Sequence, residues 1–146
     1  MTPAGARVTR QAAALTWAAM LVLPFFFLAL ADATRWRQGG RDVTGLLFWA
    51  TVGVSAACIA LSRVLPQRLG PFRAGREATA FARLAVAWLL CEAAALFPLV
   101  AWIVSGDPRL IGVFGVDLLA LLLLAPSDLR WASMLPDGAP ASGRVR

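Results

Sequence analysis

The sequence contains no lysine, histidine, tyrosine or asparagine, and the first two absences exclude whole classes of function. Without histidine, the chain lacks the ordinary axial ligand of haem b and the imidazole ligands of zinc and copper sites. Without lysine, it cannot form the Schiff base that holds retinal or pyridoxal phosphate. We therefore expect no cofactor and no metal centre of these kinds.

Cysteine and charged residues are scarce as well. Cys58 and Cys91 lie in separate apolar runs without a CxxC pair, so we expect them to be small buried side chains rather than redox or metal groups. Charged residues make up 15% of the 146 residues and hydrophobic residues 60%, with a mean hydropathy of +0.72. Soluble domains carry about 25% charged residues. The composition therefore predicts an all-α integral membrane protein, with the lipid bilayer as its first partner.

All 14 basic residues are arginine, against 8 acidic residues, which gives a net charge of +6. Arginine and alanine in place of lysine and asparagine are typical of a GC-rich genome. The composition thus indicates a bacterial protein of the inner (plasma) membrane.

The most informative stretch runs for 23 residues from Leu84 to Gly106, LAVAWLLCEAAALFPLVAWIVSG. About 20 residues at a rise of 1.5 Å cross a hydrocarbon core of roughly 30 Å, so this run predicts a membrane-spanning helix. Its only charged residue is Glu92, near the middle. A carboxylate at that depth costs a few kcal/mol, which makes Glu92 the first candidate for a functional residue.

Three further apolar runs complete the prediction of a four-transmembrane-helix bundle made of two antiparallel hairpins. The predicted spans are about 12–31, 43–62, 84–106 and 110–127 in a single domain, 1–146, with a flexible tail over about 136–146. The first run resembles a signal peptide, but it is longer than the usual apolar region and no polar mature domain follows it. We interpret it as a retained span, bent at Pro24. In the second span, the small residues Gly53 and Ala57 predict a face that packs against another helix of the same chain.

The arginines predict the orientation of the bundle. Ten of them fall in the N-terminal segment, the loop between spans two and three and the C-terminal segment, whereas four fall on the opposite side. The positive-inside rule therefore predicts that both termini are cytoplasmic. The most basic loop is expected to contact anionic lipid headgroups or a partner protein, and nucleic acid is not an expected partner. Its contact residues are Arg63, Arg68, Arg73 and Arg76.

A second acid, Asp117, lies in the fourth predicted span. If spans three and four turn near Asp107, Glu92 and Asp117 differ in depth by roughly 7 Å at 1.5 Å per residue. Both could then belong to one site that binds a proton or another ion. The alternative is that both are permanently protonated acids whose hydrogen bonds hold the bundle together. For Glu92 the two interpretations are equally weighted, and for Asp117 the structural one is favoured.

The segment Leu89 to Val100, LLCEAAALFPLV, resembles the carboxylate helix of the proteolipid c subunit of F-type ATP synthases. That family has a glutamate, alanine-rich positions, an aliphatic-aromatic pair and then Gly-Leu-Val. The resemblance implies that Glu92 is an ion-binding carboxylate. Pro98 stands where the family has glycine, and the family's glycine-rich partner helix is absent from this chain. Four-span bacterial membrane proteins with a similar third helix are a closer likeness.

These patterns predict a non-enzymatic accessory or structural subunit of a membrane assembly, which associates with other membrane proteins or with itself. The alternative function is a proton- or cation-coupled translocation component that uses Glu92, with or without Asp117. A lipid-acting membrane enzyme ranks last, because the sequence offers no nucleophile paired with a base.

Overall fold

The computed structural model describes residues 3–33, 44–70 and 76–135, and all regular structure in these ranges is helical. Four long helices are followed by a short one. Their bounds are α1 Pro3–Ala33, α2 Thr44–Arg68, α3 Arg76–Ser105, α4 Arg109–Leu123 and α5 Asp128–Met134. The predicted tail over 136–146 lies outside the described residues.

Three helices are long and apolar enough to cross a membrane, and α4 with α5 forms a fourth candidate if that bent pair is counted as one span. The prediction of an all-α protein with apolar spans is confirmed at this level. The fourth predicted span, 110–127, extends past the end of the helix that occupies most of it. Helix α4 ends at Leu123, and α5 leaves the turn at an angle of 82° to it. At 1.5 Å per residue, α4 is about 22 Å long, which is shorter than a typical hydrocarbon core.

Helix α3 lies at the centre of the bundle. It packs most extensively against α2, then against α4 and α1, and it also contacts α5. Helices α3 and α4 form the predicted antiparallel hairpin. Within the described ranges, α1 and α2 share little contact with each other and instead pack on α3, so the first predicted hairpin is not a packed pair. Of the three long apolar helices, α3 is the one buried over more than half of its apolar stretch, because the other helices pack around it.

Two predictions about α2 are wrong. The sequence after Ser62 predicts a loop because of Pro66, yet α2 continues to Arg68 with Pro66 inside its last two turns. A proline that close to a helix end removes a single backbone hydrogen bond and leaves little helix to disrupt. Gly53 and Ala57 face outward rather than toward another helix, and a side-chain carbon added at Gly53 would meet no atom within 4 Å.

The α4 helix ends inside the bundle three residues before Pro126, which has no N–H to continue it, and two tryptophans bind carbonyl groups at this end. Trp17 Nε1 of α1 donates to the Leu121 carbonyl at 3.1 Å, and Trp88 Nε1 of α3 donates to the Leu124 carbonyl at 2.8 Å. The last carbonyls of a helix have no partner within it, and in an apolar environment each would be costly to leave bare. The two indoles therefore make an early helix end tolerable, and Ser127 then accepts a hydrogen bond from the Arg130 backbone N–H to start α5.

One end of the bundle, which we call the arginine end, gathers the start of α1, the end of α2, the start of α3 and α5. Arg83 makes the central contact there. Its Nε and Nη2 donate to the Leu69 carbonyl at 3.2 and 2.7 Å, and its Nη1 donates to the Met134 carbonyl at 3.0 Å. Trp131 Nε1 donates to Glu77 Oε2 at 2.8 Å. Successive helices therefore run in alternating directions, and α4 returns the chain to the end from which α3 started.

Arg83→Gln is expected to release α5 and the end of α2 from α3. A hydrogen bond from a charged group contributes about 1.5–3 kcal/mol, so loss of the Arg83 contacts should weaken α5 docking by about 2 kcal/mol. Hydrogen exchange over residues 128–135 should accelerate by more than tenfold while the centre of α3 stays protected. Arg76→Gln is the matched control, because Arg76 is an exposed arginine at the start of the same helix, and it should leave exchange unchanged. Equal exchange in the two variants would contradict the role of Arg83.

The opposite end, which we call the hairpin end, is the turn between α3 and α4. Gly106 adopts φ +71° and donates its N–H to the Trp102 carbonyl at 2.7 Å, a left-handed conformation that favours glycine. The Asp107 carboxylate accepts the Arg109 backbone N–H at 3.0 Å and three further bonds from the Arg109 guanidinium, the shortest at 2.6 Å. The Asp107 side chain thus binds the first backbone N–H of α4, from the position before the N-cap Pro108.

The pKa of Asp107 is lowered from its usual 3.8, chiefly by its hydrogen bond to the Arg109 side chain. A lowered carboxyl pKa means that the contribution of the Asp107 bonds to stability is complete above about pH 3.8 and is lost as the pH falls through the lower, folded-state value. We expect the amides of residues 106–111 to keep their protection from pH 7 to 4 and to lose it on stronger acidification. In Asp107→Asn, protection should be lower at pH 7 and should no longer change with pH. A wild-type turn that loosens already near pH 5 would contradict this assignment.

Candidate functional site

Glu92 lies in the middle of α3 and is buried, with 7% of its surface exposed. Of the residues one or two turns from Glu92 on α3, Trp88, Ala95 and Leu99 are buried, whereas Leu89 is exposed. Ala95 and Leu99 belong to an apolar cluster with Phe114 and Leu118 of α4, against which Leu21 and Leu28 of α1 pack. Glu92 Oε1 has no hydrogen-bond partner among the described residues. The carboxyl is therefore held in apolar surroundings without the group that would stabilise its charge.

Asp117 lies in the middle of α4 and is more deeply buried, with 1% of its surface exposed. Its carboxyl lies within hydrogen-bonding reach of the Ser55 side chain on α2. The second oxygen, Oδ2, has no partner in the described part of the chain. Asp117 thus faces a polar group on a neighbouring helix, unlike Glu92.

Ser55 also contacts α3 at the point where Pro98 interrupts its hydrogen bonding. Proline has no N–H, so Pro98 leaves the carbonyl four residues earlier, that of Ala94, without its helical donor. Ser55 Oγ donates to this Ala94 carbonyl at 3.4 Å. A hydroxyl from a neighbouring helix is a known way to satisfy a carbonyl that proline frees inside a membrane. Ser55 therefore joins the break in α3 to Asp117 of α4.

The Ser55 hydroxyl has one proton, so it cannot donate to both the Ala94 carbonyl and Asp117. If Ser55 donates to Ala94, its oxygen is left to accept a proton from Asp117. The geometry therefore suits a protonated Asp117 whose hydroxyl donates to Ser55, or a bound cation that replaces that proton.

Thr51 lies one turn before Ser55 on the same face of α2 and is fully buried. Its Oγ1 has no hydrogen-bond partner among the described residues. The hydroxyl of a threonine in a helix usually donates to a backbone carbonyl of the preceding turn. A buried hydroxyl without a partner is therefore uncommon, and its desolvation costs free energy. Three buried side-chain oxygens without partners therefore lie in the middle of the bundle, those of Thr51, Glu92 and Asp117.

The two acids have different neighbours. Asp117 lies close to Ser55 and interacts electrostatically with Cys91 of α3, while no charged or hydrogen-bonding neighbour acts on Glu92 within the described ranges. The sharing of one proton between Glu92 and Asp117 stays a prediction. No guanidinium pairs with either acid among the described residues, whose ion pairs are Arg10 with Asp128 and Arg109 with Asp107.

The predicted headgroup contacts lie at the arginine end. Arg63, Arg68 and Arg76 are exposed there, and Arg73 lies outside the described residues. Arg130 of α5 lies near enough to Arg63 for the two charges to interact. The described part of the set is therefore an exposed basic surface, and its contact with headgroups stays a prediction.

Sequence reasoning missed Thr51 and Ser55. The signal was present, because Thr51, Ser55, Cys58 and Ser62 recur at helical spacing and form one stripe of α2. All four are buried or half-buried. The small residues Gly53 and Ala57, which the prediction chose instead, belong to the opposite, outward face.

The resemblance of α3 to the c subunit rests on its residues alone. No family model matches the chain, and neither a curated protein nor a solved structure shows significant similarity to it.

Proposed function

We propose that this chain is a small integral membrane subunit that crosses a bacterial inner membrane four times, with both termini in the cytoplasm, and serves a larger membrane assembly without catalysing a reaction. The observation that carries the proposal is the uneven burial of the spans. Within the fold, 56% of the apolar window of α3 is buried, but only 11% of that of α1 and 17% of that of α2. Two long apolar helices are therefore left to lipid or to partner helices.

The exposed side chains of α1 and α2 support this assignment. Phe25, Phe26 and Phe27 on α1 and Leu46 and Trp49 on α2 are all at least 40% exposed. Exposed apolar surface on this scale requires acyl chains or another protein. The alternation of helix directions and the return of α5 to the arginine end support four crossings, with the α4 to α5 turn completing the short fourth one.

Native mass spectrometry of the tagged chain, extracted in mild detergent, tests the accessory role. We expect a complex with at least one other membrane protein at fixed stoichiometry. Phe26→Ser, on the exposed face of α1, should weaken that complex, whereas Ser133→Ala, on exposed α5, is the matched control. A monomer or a pure homo-oligomer would contradict the accessory role.

Labelling of introduced cysteines tests the orientation. In a variant with Cys58 and Cys91 replaced by alanine, we expect Asp32→Cys to react with an impermeant maleimide from outside the cell. Ser133→Cys should react only after the membrane is opened. Reaction of both from outside would contradict four crossings.

A second candidate function, a proton- or cation-coupled translocation component, is favoured by the unpartnered buried oxygens of Glu92 and Asp117. Intramembrane carboxyls that lack a partner are costly and commonly serve transport. Proton flux in liposomes tests it. Glu92→Gln should assemble normally and lose the proton-linked flux, and Asp128→Asn, at an exposed carboxyl, should retain it. Equal flux in the wild type and Glu92→Gln would reject Glu92 as the proton site.

A further inference from the structure

We propose that Thr51, Ser55, Asp117 and the carbonyl of Ala94 form a binding site for a dehydrated monovalent cation of the size of Na⁺, between α2, α3 and α4. The proposal rests on the second candidate function and deepens it, because it assigns the ion to Asp117 and the α2 hydroxyls rather than to Glu92.

The site offers five oxygen atoms from three helices. Ser55 Oγ lies 3.4 Å from the Ala94 carbonyl and within hydrogen-bonding reach of the Asp117 carboxyl, so these groups are already together. The backbone of Thr51 lies one helical turn, about 6 Å, from that of Ser55 on the same face of α2. Both hydroxyls bind the ion when they turn toward each other, because two ligands of one ion lie at most about 5 Å apart. Hard cations prefer hydroxyl, carbonyl and carboxylate oxygens, and five or six of them replace a hydration shell. A helix break that frees a carbonyl is a recurrent means of binding such an ion inside a membrane.

The charge of the site selects a monovalent ion. Asp117 is 1% exposed and supplies a single negative charge. The ion pairs of the described residues, Arg10 with Asp128 and Arg109 with Asp107, do not include Asp117. A monovalent cation therefore makes the site neutral, whereas a divalent cation would leave one uncompensated charge in a medium of low dielectric constant.

The unpartnered oxygens separate this site from a structural hydrogen-bond network. In such a network each buried polar group has a partner, yet Thr51 Oγ1 and Asp117 Oδ2 have none in the described part of the chain. If Asp117 is protonated, its hydroxyl can donate to Ser55, but the Thr51 hydroxyl is still left without a partner. A cation uses both orphaned oxygens at once. Proton and cation then compete for the same carboxylate, and the cation binds when the proton leaves Asp117.

The test is protection of Asp117 from dicyclohexylcarbodiimide, an apolar reagent that modifies protonated carboxyls in membranes. The whole chain in detergent is labelled in NaCl or in choline chloride of equal ionic strength, and modification is quantified by peptide mass spectrometry. We expect saturating Na⁺ to slow modification of Asp117 at least tenfold. Glu92, in its apolar surroundings, is an internal control and should not be protected.

Three variants assign the ligands. Thr51→Val and Ser55→Ala should each raise the Na⁺ concentration for half-protection at least tenfold, and Ser62→Ala should leave it unchanged. Ser62 is the matched control because it is a buried serine on the same stripe, but its hydroxyl donates to the Ile59 carbonyl at 2.7 Å. Removal of an unpartnered hydroxyl should not itself unfold the chain. A change of protection in Thr51→Val therefore reports on ion binding and not on a folding defect.

A thermal unfolding series checks the same site without the reagent. A ligand that binds only the folded state raises the unfolding midpoint, so Na⁺ should raise it in the wild type but not in Asp117→Leu. Three results would overturn the proposal: equal modification of Asp117 in Na⁺ and choline with no midpoint shift, equal protection of Glu92, or stronger protection by Ca²⁺ at equal ionic strength. Because labelling and unfolding require no transport, a protein that binds Na⁺ but carries no flux would reject only the translocation function.

Discussion

Replacing Trp88 with alanine is expected to lower the free energy of unfolding by about 3–5 kcal/mol, the largest loss of stability that a single truncation in this chain should cause. Trp88 is fully buried at the centre of α3, in the cluster that joins α1, α3, α4 and α5. Its removal opens a cavity in that cluster. It also leaves the Leu124 carbonyl without the indole N–H that ends α4. Reversible unfolding in sodium dodecyl sulfate, followed by circular dichroism, measures the loss.

One further variant separates the hydrogen bond of Trp88 from its packing, and another serves as the control. Trp88→Phe keeps most of the ring volume and removes only the hydrogen bond, so we expect a loss of about 1–2 kcal/mol. Trp49→Ala removes an indole that is 69% exposed on α2 and should cost less than 1 kcal/mol. If Trp49→Ala destabilised the chain as much as Trp88→Ala, α3 could not be the centre of the bundle.

The positions of the long helices could be predicted from the sequence because each apolar run is close to the length that a bilayer requires. The end of α4 at Leu123 was not predicted, although Pro126 lies two residues beyond the C-cap Leu124 and lacks the N–H that would continue the helix by bonding to the Leu122 carbonyl. The contacts of Trp17 and Trp88 with the Leu121 and Leu124 carbonyls could not be predicted, because tertiary contacts of this kind leave no local pattern.

The candidate site was predicted in part. A carboxyl within an apolar run stands out in any sequence, so Glu92 and Asp117 could be chosen from the sequence alone. Their partners could not, because serine and threonine are common in membrane helices and hydroxyls rarely signal a site. Pro98 predicts a free carbonyl at Ala94, but only the packing of α2 on α3 places Ser55 against it. The outward direction of Gly53 and Ala57 follows from the same packing.

The architecture explains how one short chain can keep two acids away from its exposed apolar surface. Among the described residues, α3 is packed by α1, α2, α4 and α5, and the buried faces of α3 and α4 hold Glu92 and Asp117. Helices α1 and α2 shield these positions with one face and present their other faces outward. The stability of the bundle therefore comes from the apolar clusters around Trp88 and Leu99, and the acids act against it.

Glu92→Leu is therefore expected to raise the free energy of unfolding by about 2–3 kcal/mol, the cost that insertion scales assign to a charged residue at the centre of a membrane helix. Glu92 Oε1 has no partner, and Trp88, Ala95 and Leu99 around it are apolar, so leucine replaces a poorly solvated carboxyl with a side chain that fits its surroundings.

Ala93→Leu provides the matched control for Glu92→Leu, because Ala93 is the next residue of α3 but faces outward, and it should change stability by less than 0.5 kcal/mol. A rise in stability together with a loss of proton-linked flux would mean that the carboxyl is retained for function at the expense of stability. A fall in stability would mean instead that Glu92 holds the bundle together as a protonated hydrogen-bond donor, and the second candidate function would lose its main support.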